Sequence, residues 1–424
     1  MNENSQSEEQ QPRPGSARWR HQQRKQRQVQ TRRDQQMAAR RTDEHRQVSQ
    51  QADGRFDWLD IEVPVEILRP LAYLAAAAAL VLGIIFLLRL FNPPEAVTRP
   101  NAIWLGSGWS FDQPSDQQVA DLATRLRFHE IGTAHVWVTY LKEDQTWSGK
   151  TADRDLQTGT ILSTVNPNTG QPYQNELAEM EPNIRRFVRQ FDEAYPEGEL
   201  YGWISFPADV VPLDDPQLHT RVAELATLLV IDYGFDGIYL NIEPVADGNE
   251  GFLQLLRTVR LALDDIGTDR RVPIAAAIPP DWRPSDPTIP HGPFITDVFE
   301  WSKDYKQNVA LLVDEMMVMS YQSGLRRPED YSTWVAYQTK AYAEAVAELD
   351  IGTEVFIGIP TYPAELPGHD PAVENVLTAV RGLESGLVQA GPAADVVSGT
   401  TIYAEWTTDT QEWSDFYSSW IAPR

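Results

Sequence analysis

The chain has 424 residues, a formal net charge of −25 and no cysteine. Without cysteine it has no disulfide frame, no thiolate metal site and no cysteine nucleophile. The charge is uneven: residues 1–69 hold 13 Lys+Arg against 11 Asp+Glu, and residues 70–424 hold 23 against 50, so the acidic body is a poor match for nucleic-acid phosphates.

Residues 1–56 are rich in Gln and Arg and nearly free of aliphatic side chains. Such a stretch cannot bury a core, and disorder is expected. It reads as a solvated, topology-setting tail, with attraction to anionic lipid or nucleic acid as the alternative. Residues 57–69 mix apolar and acidic side chains and form a juxtamembrane segment. Leu71 to Leu88 (LAYLAAAAALVLGIIFLL) carries no charge and has no polar stripe. Its length is near the ~20 residues that cross a bilayer core, so 70–91 is expected as one transmembrane helix, followed by a linker at 92–100. Arg55, Arg69 and the cluster from Arg18 to Arg46 put the N-terminal side in the cytoplasm and the body outside.

From residue 101 to 424, short β-branched and aromatic runs alternate with longer helical stretches. That alternation marks βα units and a parallel sheet. Eight strands are predicted: Ala102–Leu105, Thr133–Thr139, Leu200–Ser205, Gly237–Ile242, Val272–Ile278, Glu315–Ser320, Glu354–Ile359 and Thr400–Tyr403. Helices are predicted at Asp116–Arg127, Glu176–Ala194, Pro216–Tyr233, Glu250–Asp265, Thr333–Leu349 and Pro371–Leu387. The fold class is therefore α/β, a (β/α)8 barrel. An open doubly wound sheet fits less well, because GSGWS at 106–110 lacks the spacing of a phosphate loop.

A barrel of this kind carries its chemistry at the C-terminal ends of its strands. Aromatic residues recur there: Trp104, Trp203, Tyr321, Tyr362 and Trp406. Aromatic faces at strand ends suit the apolar faces of sugar rings. In the fourth strand, DGIYLNIE, side chains alternate. Ile238, Leu240 and Ile242 share the helix-facing side, and Tyr239, Asn241 and Glu243 face the barrel interior. An inward Asn and Glu at a strand top are costly unless hydrogen-bonded or used. Glu405 beside Trp406 is a weaker candidate, as a second acid or a hydrogen-bonding contact to sugar. Asp314 and Glu315 open strand six at the wrong end for catalysis and are expected in solvent. The histidines, with His129 and His135 six apart, show no metal spacing, so no metal and no cofactor is expected.

The segment from Phe235 to Glu243 resembles the aromatic-DGxDxDxE signature of family 18 glycoside hydrolases, the chitinases and their relatives. Tyr239 and Asn241 stand where that family usually has Asp. The Asn-x-Glu pair is also similar to family 85 endo-β-N-acetylglucosaminidases. Met319-Ser320-Tyr321 resembles the family 18 Met-x-Tyr of strand six, with Gln322 in place of Asp, and Trp406 matches the tryptophan that floors the sugar site. The resemblance implies a hydrolase of N-acetylglucosamine-containing glycans, on a chain that the run Leu71–Leu88 leads one to expect at a membrane. It implies substrate-assisted retaining catalysis, an exception to the two-carboxylate rule. Glu243 would be the general acid/base, Asn241 would orient the acetamido group, and Tyr321 would hydrogen-bond its oxygen. Tyr239, Gln322, Trp104, Trp203, Tyr362, Glu405 and Trp406 would contact substrate. A two-glutamate retaining barrel fits less well, because Ile242 separates Asn241 from Glu243 and strand seven ends in Pro360-Thr361-Tyr362. The loss of two carboxylates, at Tyr239 and Gln322, keeps a second reading open: a barrel that holds glycan without cutting it. The expected partners are a glycan and, through 70–91, the lipid bilayer.

Overall fold

Eight parallel strands close into a barrel in the computed structural model. The structure describes residues 101–424, except 155–160, 167–168, 174–175, 268–270, 294–299 and 364–366. The expected tail, juxtamembrane segment, transmembrane helix and linker, residues 1–56, 57–69, 70–91 and 92–100, lie outside the described residues. Among the described residues, no helix is long and apolar enough to cross a membrane.

The strands are β1 (Asn101–Leu105), β2 (Ile131–Tyr140), β3 (Glu199–Pro207) and β4 (Gly237–Glu243). They continue as β5 (Ile274–Ile278), β6 (Glu315–Val318), β7 (Glu354–Pro360) and β8 (Val397–Tyr403). Each pairs with its sequence neighbours, and β8 closes on β1 through Ala102↔Thr401 and Ile103↔Ile402. All eight expected strands are present. Each differs from its expected bounds by one to three residues at an end, and two are shorter than expected, for local reasons. β5 starts at Ile274 rather than Val272, since Pro273 has no N–H to give a ladder. β6 stops at Val318, where the chain bends: the Ser320 and Tyr321 amides donate only two residues back, to Val318 and Met319.

The helices that follow the barrel strands include α1 (Ser107–Phe111), α2 (Asp116–Phe128), α3 (Leu177–Ala194) and α4 (Pro216–Leu228). After them come α5 (Glu250–Asp264), α6 (Lys303–Ala310), α7 (Pro328–Ala347), α8 (Val376–Ala390) and α9 (Thr410–Phe416). Side chains of Ser115, Asp215, Asn249, Ser302, Asn375 and Asp409 accept hydrogen bonds from the first-turn amides of their helices, satisfying donors that a helix start leaves free. The short α1, α6 and α9 and a small antiparallel pair, Asp153–Arg154 with Ile161–Ser163, were not expected from sequence.

Alternation along the strands divides the core into two. Ile238, Leu240 and Ile242 join the large cluster between strands and helices. Tyr239 belongs to a second cluster inside the barrel, with Trp104, Tyr201, Trp203, Met317, Tyr321 and Phe356. The fourth strand begins at a glycine for steric reasons. A Cβ on Gly237 would lie 2.7 Å from the Tyr201 ring and 3.0 Å from the Pro273 carbonyl oxygen.

The start of β6 corrects an expectation. Glu315 is not in solvent but buried in the lower barrel, 7% exposed. The Tyr201 hydroxyl donates to its Oε1 at 2.8 Å. His135 Nε2 lies 3.9 Å from its other oxygen. Burial pushes the Glu315 carboxyl up to about 8 and the His135 imidazole down to about 3, so both are neutral near pH 7 and the contact is not an ion pair.

Candidate active site

The C-terminal ends of the strands surround a cavity of about 300 Å³. β1 and β3 contribute Trp104 and Trp203, and β4 contributes Tyr239, Asn241 and Glu243. Met319, Tyr321 and Gln322 enter just after β6, and Tyr362 just after β7. Tyr403 ends β8 and is followed by Trp406 and Thr407, while Trp282 comes from the loop after β5. The structure thus brings together nine of the ten residues expected from sequence.

Glu405 is the exception. Its carboxyl is turned away from the cavity and only 3% of the residue is exposed. Trp109 Nε1 donates to one oxygen at 3.0 Å, and Arg125 donates to the other at 3.0 Å. Burial raises the carboxyl to about 7, with Trp109 and Arg125 pulling it down. Its expected role as a substrate contact is therefore corrected to an anchor. It fixes the segment carrying Trp406 to α1 and α2. The alternation that places Tyr403 inward ends with β8, so sequence period gave no direction for the next side chains.

The aromatic walls contact one another. Tyr403 stacks on Tyr321, with ring centroids 5.2 Å apart and planes at 21°. Tyr362 meets both rings edge-on at 6.2 and 5.9 Å. Tyr403 also meets Trp104 at 5.4 Å and Trp406 at 5.7 Å. Such edge and stacked pairs contribute about 0.5–1.5 kcal/mol each beyond buried area. The result is a rigid apolar lining. Trp406 itself rests on Gly106, where a Cβ would come within 3.2 Å of its ring. Tyr321 lies close to Gly358 of β7, whose Cβ would be 2.8 Å from the Val318 carbonyl oxygen and 3.1 Å from the tyrosine ring.

Polar groups punctuate this lining. Asn241 Oδ1, Trp203 Nε1 and Tyr362 Oη are buried atoms without a protein hydrogen-bond partner. Unmatched buried polar atoms are uncommon and mark places where water or ligand completes the bonding. Burial pushes the Glu243 carboxyl up to about 7. The side chain is open to the cleft, yet protein surrounds it on the other sides. Water in the cleft softens this desolvation, and a ligand filling the cleft strengthens it. Burial also raises Tyr239, Tyr321 and Tyr403, and the nearby Glu243 carboxylate adds to each shift. These three hydroxyls remain protonated donors at ordinary pH. Among the described residues, no group of His, Asp or Glu is arranged to hold a metal ion.

Tyr239 occupies the place of an inward carboxylate in the resembled signature. It is 1% exposed. Its ring stacks on His135 at 4.6 Å and meets Trp203 edge-on at 5.5 Å. The ring fills space between the site and the buried polar layer below. Trp282, Met319, Tyr403 and Thr407 were missed by sequence reasoning. Tyr403 carried a usable signal, as an aromatic at the end of a predicted strand. Trp282 carried none, since it lies beyond the strand on a loop.

No protein-family model matches this sequence, and no curated protein does. Solved structures do resemble it. One is a chitinase from Chromobacterium violaceum, 15% identical, covering 77% of this chain and 100% of that one, with a TM-score of 0.47. Another is the spore cortex-lytic enzyme SleL of Bacillus cereus, 11% identical over 77% and 76% of the two chains, with a TM-score of 0.45. A third is a family 18 chitinase variant from Cycas revoluta in complex with (GlcNAc)4, 13% identical over 76% and 99%, with a TM-score of 0.45. Identities this low say nothing of individual site residues, whose roles must come from their own chemistry.

Proposed function

We propose that residues 101–424 form a glycoside hydrolase that cuts N-acetylglucosamine-containing glycans, with Glu243 as its general acid and base. One observation carries this reading: the cleft carboxyl of Glu243, raised to about 7, stands in an aromatic bowl of about 300 Å³. A carboxyl poised near neutrality can give a proton and take one back. The substrate supplies the missing nucleophile. Its acetamido oxygen forms a bond to C1 as the C1–O bond to the leaving group breaks. Glu243 protonates the departing oxygen. Water then adds to C1 of the oxazolinium ion, Glu243 recovers the proton, and the acetamide reforms. Asn241, with its unmatched Oδ1, suits the acetamido N–H. The Tyr321 hydroxyl suits the acetamido oxygen. The faces of Trp406 and its neighbours suit the sugar ring. Chitin-, peptidoglycan- and N-glycan-type substrates all present this group.

The test is Glu243→Gln, which keeps the shape and removes the transferable proton. Release of sugar from N-acetylchitotetraose should fall by about 10²–10⁴-fold, the usual size of a general acid–base contribution. Equal turnover by wild type and variant rules the assignment out. A second reading, glycan binding without cleavage, is favoured by Tyr239, which leaves Glu243 the only carboxyl in the cavity lining among the described residues. Binding of the tetrasaccharide without any turnover by the wild-type protein selects that reading.

We further propose that residues 70–91 anchor the chain in a membrane with the barrel outside. The support is the uncharged run Leu71–Leu88 and the Arg-rich side before it. Protease added to intact cells should then remove the barrel; full protection with an intact membrane rejects this orientation.

A further inference from the structure

Two loops that line the cavity are tied together by a buried acid and imidazole that the chemistry above does not use. Glu374, 1% exposed, lies just before α8. One of its oxygens accepts the Ser323 amide at 2.8 Å and the Ser323 hydroxyl at 2.5 Å. The other accepts the Gln322 amide at 2.7 Å and faces His369 Nδ1 at 3.0 Å. His369 Nε2 reaches the Tyr362 carbonyl oxygen at 3.0 Å, and its ring packs on the Tyr362 ring at 3.9 Å. A backbone bond from the Gly324 amide to the Gly368 carbonyl, 2.7 Å, runs beside them.

The tie ends on two cavity walls. Gln322 and Tyr362 both line the cavity. Gln322 has φ of +56°, a left-handed conformation that a side chain other than glycine adopts at a cost. Such a residue persists where its surroundings over-determine it. Here the surroundings are one carboxylate accepting two consecutive amides. His369 carries the constraint across to Tyr362, whose hydroxyl is without a protein partner. We propose that Glu374 and His369 are positioning residues for glycan: a latch that joins the loops after β6 and β7 and sets Gln322 and Tyr362 as the polar wall of the sugar site. Gln322 presents a neutral amide, able to donate and accept, so the wall suits hydroxyl and amide groups of a neutral sugar. This assignment of the wall rests on the glycan reading. The latch itself does not.

The experiment uses the full-length protein with Glu374→Gln, and His369→Asn as the second variant should the first fail to fold. Glutamine puts an NH₂ where a carboxylate oxygen accepted, so one of the two amides or His369 loses its partner. Two readouts are taken. Amide hydrogen exchange at Gln322 and Ser323 should speed up at least tenfold relative to wild type. Unchanged protection there overturns the latch, whether or not glycan binds. In parallel, Kd for N-acetylchitotetraose is measured in a Glu243→Gln background. It should weaken about tenfold on adding Glu374→Gln. In the active background KM should rise by a similar factor with kcat changed less than threefold. Glu315→Gln, at the far end of the barrel, should leave Kd unchanged. If Glu315→Gln shifts Kd as much as Glu374→Gln does, or if Glu374→Gln changes only thermal stability, the positioning role is rejected. Should even the Glu243→Gln parent not bind the tetrasaccharide and the wild type not cut it, the glycan reading falls. The exchange result still decides the latch.

Discussion

At the scale of single residues, the chemistry turns on where Glu243 keeps its proton. It must be protonated to assist departure of the leaving oxygen. With the carboxyl raised to about 7, the acid form is present below that pH and is lost above it. The kcat/KM profile for N-acetylchitotetraose should therefore hold below about pH 7 and fall about tenfold per unit above it. A plateau extending past pH 9, or a fall that begins near the usual carboxylic range, removes Glu243 from this role. Tyr239 bears on the same profile. A second carboxylate at that position would share charge with Glu243 and split the titration into coupled steps. The buried tyrosine leaves one cleft carboxyl among the described residues, and so a single ionisation is expected. The residues most legible in sequence were those on β4, because period-two alternation fixes the direction of Tyr239, Asn241 and Glu243. Glu405 was misplaced and Trp282 was missed for one reason: both lie past a strand end. There direction depends on contacts such as Glu405 with Arg125, which no local pattern encodes.

At the scale of elements, the strands and the long helices were legible, since each repeats its apolar period over several turns or pleats. The eight-residue α6 was not, since it packs through Tyr305, Lys306, Val309 and Ala310, too few turns to set a period. How closely two helices pack was also hidden. α7 and α8 approach through Gly382 and Gly386, one turn apart. A Cβ on Gly382 would lie 2.6 Å from the Ser332 carbonyl oxygen, and one on Gly386 would lie 2.5 Å from the Thr339 Cβ. These neighbours are backbone and branch-point atoms that cannot swing away. In an exposed helix, Gly→Ala stabilises by about 0.5–1 kcal/mol. Here overpacking reverses the sign. Gly382→Ala and Gly386→Ala should each destabilise by about 1–3 kcal/mol, read as a lower urea midpoint. Gly352, with open space around its Cβ position, provides the contrast: its Ala variant should be neutral or slightly more stable. Unchanged midpoints for both helix variants contradict the close approach.

At the scale of the whole barrel, stability and net charge are linked by several buried carboxyls whose protons are held more tightly in the folded state. Burial raises Glu315 to about 8 and Glu405 to about 7, and the half-buried Glu412 to about 7. A raised acid contributes stability that is complete below its unfolded value and is lost as pH climbs through its folded value. Opposing groups act elsewhere on the scale. His135 and His129 are lowered by burial, so their contribution is lost only as pH falls below about 6.5. The exposed carboxylates Asp144 and Asp286 are lowered by their threonine partners Thr146 and Thr288, and their contribution is lost at still lower pH. Above pH 6.5 the raised acids act without that opposition, and Glu315 acts furthest. From pH 6.5 to 8 it alone should remove about 2 kcal/mol, at about 1.4 kcal/mol per unit. Melting temperature should therefore drop by several degrees between pH 6.5 and 8.5. Glu315→Gln retains an acceptor for the Tyr201 hydroxyl and cannot ionise, so its melting curve should be flatter over this interval. Equal slopes for the two proteins show that Glu315 carries its charge in the folded barrel. In that case the lower core is wetter than its packing around Tyr201, His135 and Tyr239 implies.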